Sequence, residues 1–171
     1  ANNGTLMKKD IILSGVGGQG ILSIATVIGK AALDASLSIK QAEVHGMSQR
    51  GGDVQSNLRI ASGEIASDLI ARGVADMINI PNYPEAEALR RELDALPHVV
   101  ALDVDAIAKS AASPRAANIV LLGAATPFLG IGAEKLEAGI RAIFARNGGQ
   151  VVETNLAAFR AGCEAAKKQA K

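Results

Sequence analysis

The sequence predicts an α/β protein in three layers, an open, mostly parallel, Rossmann-like sheet with helices on both faces. Three observations carry that expectation. Strand-like and helix-like segments alternate through most of the 171 residues, the pattern of a sheet wrapped by helices. Hydrophobic residues make up 49%, mostly Ala, Ile, Leu and Val, while aromatics reach only 2%, and such an aliphatic composition suits parallel strands under closely packed helices. Finally, Gly15-x-Gly17-x-x-Gly20 follows an apolar strand and opens a helical pattern, the setting in which this spacing carries meaning.

Taken in order, residues 1–6 are polar and read as a tag remnant or a frayed start, and residues 7–171 as a single domain. Residues 8–14 form the first strand. Residues 19–35 form the first helix, with Ile21, Leu22, Ile24, Ala25, Ile28, Ala32 and Leu33 at helical spacing. Residues 37–44 make a second strand. Val54, Ser56, Leu58 and Ile60 alternate with Asp53, Gln55, Asn57 and Arg59, so 53–60 reads as a half-buried strand, and 65–68 as a short strand pairing back after a Ser62-Gly63-Glu64 turn. Residues 75–80 are apolar enough for another strand. Pro84 opens a helix over 85–96, and 98–102 is a strand. Asp103 caps a helix over 104–111. Ser113-Pro114 opens a helix over 116–125 that is apolar nearly all round and therefore buried. A helix over 133–146 ends at Asn147-Gly148-Gly149. A short strand over 150–153 and a helix over 156–168 complete the chain.

Charge and cysteine usage exclude several functions. Eighteen basic and 17 acidic residues leave a net charge of +1. With no basic run and few aromatics, nucleic acid is not an expected partner. No apolar run reaches the roughly 18 residues of a membrane span. Cys163 is the only cysteine, which precludes an intrachain disulfide, favours an intracellular, cytoplasmic location and rules out a four-thiolate iron–sulfur cluster held by this chain alone. His45 and His98 are the only histidines and form no zinc spacing, so no metal site is expected.

The candidate binding residues fall in two glycine-bearing turns. In the first, Gly15, Gly17, Gly18, Gln19 and Gly20 bring backbone N–H groups and a helix amino terminus together, which suits an anion such as a nucleotide phosphate. A tight strand–helix turn holding nothing is the alternative. A dinucleotide site would want an acid about 20 residues on. Lys40 stands there and Glu43 comes late, which weakens a nicotinamide or flavin reading. In the second turn, His45, Ser48, Gln49, Arg50, Gly51 and Gly52 crowd an imidazole, a hydroxyl, an amide and a guanidinium between two strands. The planar guanidinium suits phosphate or carboxylate. A solvated loop is again the alternative. Both turns follow strands, so in a parallel sheet both lie at one edge. His45 has no acid or nucleophile fixed beside it by sequence and reads as a structural or contact residue, not a catalytic one. Asp103 and Asp105 read as helix-start carboxylates and Cys163 as a packed, inert thiol. No catalytic residue emerges.

Gly15-Val16-Gly17-Gly18-Gln19-Gly20, then Ala42-Glu43-Val44-His45-Gly46-Met47-Ser48-Gln49-Arg50-Gly51-Gly52, resembles the small, gamma-type subunit of 2-oxoacid:ferredoxin oxidoreductases, most nearly the indolepyruvate-specific beta subunits. Ala75-Asp76, the run from Pro114 through Arg115 and Asn118 to Ala124, and the run from Glu153 to Phe159 extend the likeness. The resemblance implies oxidative decarboxylation of an arylpyruvate, transfer of the acyl group to coenzyme A, and electron delivery to ferredoxin. It also implies that thiamine diphosphate and the [4Fe–4S] clusters belong to a large partner subunit, and that the two glycine turns face that partner, its cofactor or coenzyme A. One departure stands out. Family members carry a further strand–helix–strand where Ile78 here runs directly into Asn79; either this protein lost that unit or about thirty residues are absent from between them, and the second is expected unless Ile78 and Asn79 are joined by a normal peptide bond.

Overall fold

A computed structural model of the chain describes residues 7–45, 52–71, 75, 77–79, 95, 99–111 and 113–169. The elements are β1 (Lys8–Val16), α1 (Ile21–Asp34), β2 (Ser38–His45), β3 (Asp53–Ala61), β4 (Met77–Asn79), α2 (Val104–Ala111), α3 (Ala117–Leu129), α4 (Ala133–Phe144) and α5 (Gly149–Gln169). Short 3₁₀ turns at Pro114–Ala116 and Ala145–Asn147 precede α3 and α5.

The chain is α/β, but the sheet formed by the described residues is not mostly parallel. The strand order is β2-β3-β1-β4. β3 runs antiparallel to both neighbours, Ile11 opposite Leu58 and Ile39 opposite Ile60, and among the described residues only the β1–β4 pair is parallel. The cause is connection length. Only residues 46–52 separate β2 from β3, and a parallel neighbour needs a crossover of a dozen residues or more. The chain therefore turns back on itself and inserts β3 between the two strands that α1 connects.

The sheet has one apolar face. Ile11, Leu13, Leu58 and Ile60 are fully buried and join Ile24, Ala25, Ile28 and Ala32 of α1 in one core. Leu22 and Leu33, which fit the same helical spacing, are exposed, because they lie on the side of α1 turned from that core. The opposite sheet face is polar. Asp10 is buried there and bonded by Arg59 through Nε (2.8 Å) and Nη2 (3.1 Å), with Lys8 at 3.0 Å. Burial pushes the Asp10 carboxyl up, but the bonds from Arg59 and Lys8 outweigh it and hold it below the usual range. Helices on both faces, the expected arrangement, are not found among the described residues. The described helix α1 shares the core of the apolar face.

Four expected elements take other forms or fall elsewhere. Residues 65–68 make no strand, since Arg59 Nη1 bonds the carbonyls of Ser67 and Leu69 (both 3.1 Å) and spends its donors there. Of the strand expected over 98–102, residues 99–102 are described and form no strand; the Ala101 N–H donates instead to the Gln169 side chain (3.1 Å). Residues 150–153 are the first turn of α5, where Val151 and Val152 N–H groups bond the Gly148 carbonyl. Their β-branched composition yields to tertiary context, because Val152, Leu156 and Phe159 at helical spacing are all buried. The helix expected over 85–96 lies outside the described residues. Asp103 caps α2 as expected, its Oδ1 accepting from the Ala106 N–H at 2.9 Å. At the expected interruption, Ile78 and Asn79 pair with the consecutive residues Ile12 and Leu13 of β1.

The helical layer is fastened at one crossing. A Cβ on Gly123 of α3 would strike the Phe159 carbonyl of α5, and a Cβ on Gly162 of α5 would strike the Val120 carbonyl of α3. Two glycines thus let the backbones touch, and this holds the amino end of α3 beside that of α1.

Candidate functional site: a glycine turn walled by the start of α3

The site begins where β1 ends. The turn closes on itself: the Val16 N–H donates to Gln19 Oε1 (2.9 Å) and the Gln19 N–H to the Val16 carbonyl (3.1 Å). Gly18 has φ +98° and Gly20 φ +75°, left-handed values that side chains resist. Gly20 is the N-cap of α1, which has neither a side-chain cap nor an acidic residue in its first turn. The leading N–H groups of a helix have no acceptor within it, so this helix end stays open to an anion.

The structure joins the two glycine turns, since the Gly17 N–H donates to the Gly52 carbonyl at 2.9 Å. Gly15 is buried in β1 opposite Val54, and the same Val54 pairs with His45 at the end of β2. Ser48, Gln49, Arg50 and Gly51 lie outside the described residues.

The opposing wall is not legible in the sequence as part of the site. Ser113, Pro114, Arg115 and Asn118 come from the 3₁₀ turn and the first turn of α3, far along the chain from the glycines. Gly18, Gln19, Gly20 and Ile21 face Arg115, Asn118, Val104 and Asp105 across a cavity of about 280 Å³. A second cavity of about 470 Å³ shares Gly20, Arg115 and Asn118 and adds Ser23, Phe144 and Asn155. Asn118 Nδ2 donates to the Gly20 carbonyl at 3.3 Å, and Ser113 Oγ accepts from the Arg115 N–H at 3.3 Å. The only sequence signal for these residues is their place in the stretch that carries the resemblance. Electrostatically, Arg115 and the α1 amino end favour an anion, and Asp105 on the α2 side limits how much negative charge is welcome.

Cys163 sits apart, partly buried with its sulfur 3.7 Å from Thr126 Oγ1. Burial pushes its thiol pKa up, against the Thr126 hydrogen bond, so it is a poor nucleophile at neutral pH.

A sheet end and an uncapped helix start meet at this cleft in a protein of α/β class. The chain belongs to the pyruvate ferredoxin/flavodoxin oxidoreductase family, whose model matches residues 10–97 and 81–165. It is homologous to IorB small subunits and to gamma subunits of 2-oxoacid:ferredoxin oxidoreductases. Indolepyruvate oxidoreductase subunit IorB of Archaeoglobus fulgidus is 29% identical over 194 residues, covering 91% of this chain and 94% of the relative. The gamma subunit of keto/oxoacid ferredoxin oxidoreductase from Geobacter sulfurreducens superposes with a TM-score of 0.70 at 25% identity, covering 94% of this chain and 99% of that one. A 2-oxoglutarate:ferredoxin oxidoreductase from Magnetococcus marinus, solved with 2-oxoglutarate, coenzyme A and succinyl-CoA bound, shares the fold with a TM-score of 0.77 at 23% identity. The match covers 94% of this chain but only 31% of that one. The Archaeoglobus alignment is longer than the 171-residue chain, so that relative carries residues with no counterpart here. The two family matches overlap at residues 81–97, just past Asn79.

Proposed function

We propose that this chain is the small subunit of a cytoplasmic 2-oxoacid:ferredoxin oxidoreductase acting on an aryl 2-oxo acid such as indolepyruvate. Residues 7–171 act as one domain and complete a reaction centre whose thiamine diphosphate and [4Fe–4S] clusters belong to a large partner subunit. Family relatives carry residues that this chain lacks, as the longer Archaeoglobus alignment indicates, and the junction of Ile78 and Asn79, which run on within one strand, is the place we assign to that difference. The functional reading rests above all on one observation: the uncapped start of α1 and Arg115 line the same cavity. The names of the IorB relatives support the choice of aryl substrate.

Coenzyme A fits that cavity by chemistry, since its phosphates match a helix amino end and a guanidinium. When bound, it supplies the thiol that accepts the acyl group. The chain's own part is to bind and orient. Gly17, Gly18 and Gly20 keep side chains out of the way of the phosphates, the first turn of α1 offers N–H donors, and Arg115 supplies the charge. Arg50, with Ser48 and Gln49, adds donors from the loop that Gly52 ties to Gly17. Ferredoxin takes the electrons from the partner's clusters.

The glycine spacing also supports a rival, a stand-alone nucleotide-dependent oxidoreductase. Titrating the purified chain with NAD(H), NADP(H) and flavin separates the two. No submicromolar binding is expected, because no acid stands where a ribose would need one. Submicromolar binding of any of them would favour the rival.

A further inference from the structure

We propose that Asn118 is a positioning residue for the anion at the glycine turn. The proposal rests on the reading above that the cavity takes a phosphate of coenzyme A. The bond from Asn118 Nδ2 to the Gly20 carbonyl (3.3 Å) links residues 98 apart. That carbonyl also accepts from the Ser23 and Ile24 N–H groups at 3.1 and 3.3 Å. A peptide unit is planar and trans, so the Gly20 C=O and the Ile21 N–H point in opposite directions within one plane. By holding the carbonyl, Asn118 sets the direction of the Ile21 N–H, one of the donors left without an acceptor inside the helix. Ile21 and Asn118 both line the smaller cavity. Position 20 takes glycine for its φ of +75°, and a Cβ there would in addition displace the Asn118 amide. Gly20 and Asn118 are thus one device, a left-handed N-cap latched from the opposite wall. In an α1 that lacks any side-chain cap of its own, that latch adds to the two helical bonds in keeping the leading donors aimed.

The test is steady-state kinetics of the holoenzyme with Asn118→Ala and Asn118→Asp. The loss of one neutral hydrogen bond is worth about a fivefold rise in the KM for coenzyme A. Asn118→Asp, nearly identical in shape and so tolerant of folding, turns a donor into an acceptor against the Gly20 carbonyl and places a negative charge beside the anion. It should raise that KM by more than about tenfold, with the excess over alanine shrinking as salt screens the charge. The KM for the 2-oxo acid, and kcat at saturating coenzyme A, should stay within about twofold, since the latch touches neither the oxo acid nor the chemical step. An effect on kcat with the KM for coenzyme A unmoved would overturn the proposal. So would an unchanged KM in both Asn118 variants while Arg115→Ala raises it. If Arg115→Ala also leaves it unmoved, the anion reading of the cavity fails as well.

Discussion

Gly162→Ala is expected to cost about 3 kcal/mol of stability or more, or to prevent the protein from accumulating in folded form. Two effects compete. Alanine is the better helix former by about 1 kcal/mol. Against this, its methyl group would be driven into the Val120 carbonyl of α3, with the Val120 carbonyl carbon also at 2.8 Å and the Ala124 nitrogen at 3.1 Å. These are backbone atoms inside a helix and cannot swing aside as a side-chain tip would. Overpacking typically costs about 1–3 kcal/mol even where side chains can adjust, so the clash outweighs the propensity gain. For a chain of this size, that loss corresponds to a fall of roughly 10 °C in Tm by thermal denaturation. Gly149→Ala in the same helix is the control, since nothing lies within 4 Å of the added Cβ, and its Tm should change by at most a few degrees. The consequence reaches the site, because the α3–α5 crossing holds Arg115 and Asn118 opposite the glycine turn.

Arg115→Ala should raise the holoenzyme's KM for coenzyme A roughly tenfold, the lower end of what a charge-assisted contact is worth. The lower end applies because the side chain is exposed and solvent screens it. Arg115→Lys should recover only part of the loss, since an ammonium keeps the charge but not the two-pronged geometry. The effect should weaken with salt. A change in the KM for the 2-oxo acid of similar size would place Arg115 on the wrong substrate.

Local signals in the sequence carry much of this architecture, and the departures from expectation share a cause. The first strand, the first helix, the capped α2 and the buried α3 are legible from apolar spacing in Ile21–Asp34, from Asp103 at a helix start and from glycines at a turn. The antiparallel β3 is legible in principle, as residues 46–52 are too few to carry a crossover, but alternation along 53–60 says nothing of direction. The first turn of α5 at Val151 and Val152 reads as a strand because local composition favours one, and only the burial of Val152 against distant residues decides otherwise. The same limit applies to the site. Gly15 to Gly20 announce themselves through spacing, whereas Arg115 and Asn118 become site residues only when the α3–α5 crossing carries them across the fold. No property of Asn118 as an isolated asparagine distinguishes it.

The central claim is that this chain supplies a rim to a reaction centre it does not contain. The most direct measurement is to purify the chain and the large thiamine diphosphate and iron–sulfur subunit separately, and to follow ferredoxin reduction with indolepyruvate and coenzyme A for each alone and for the two recombined. Reduction only in the recombined sample is the predicted result. Oxidation of the 2-oxo acid by this chain without its partner would contradict the account.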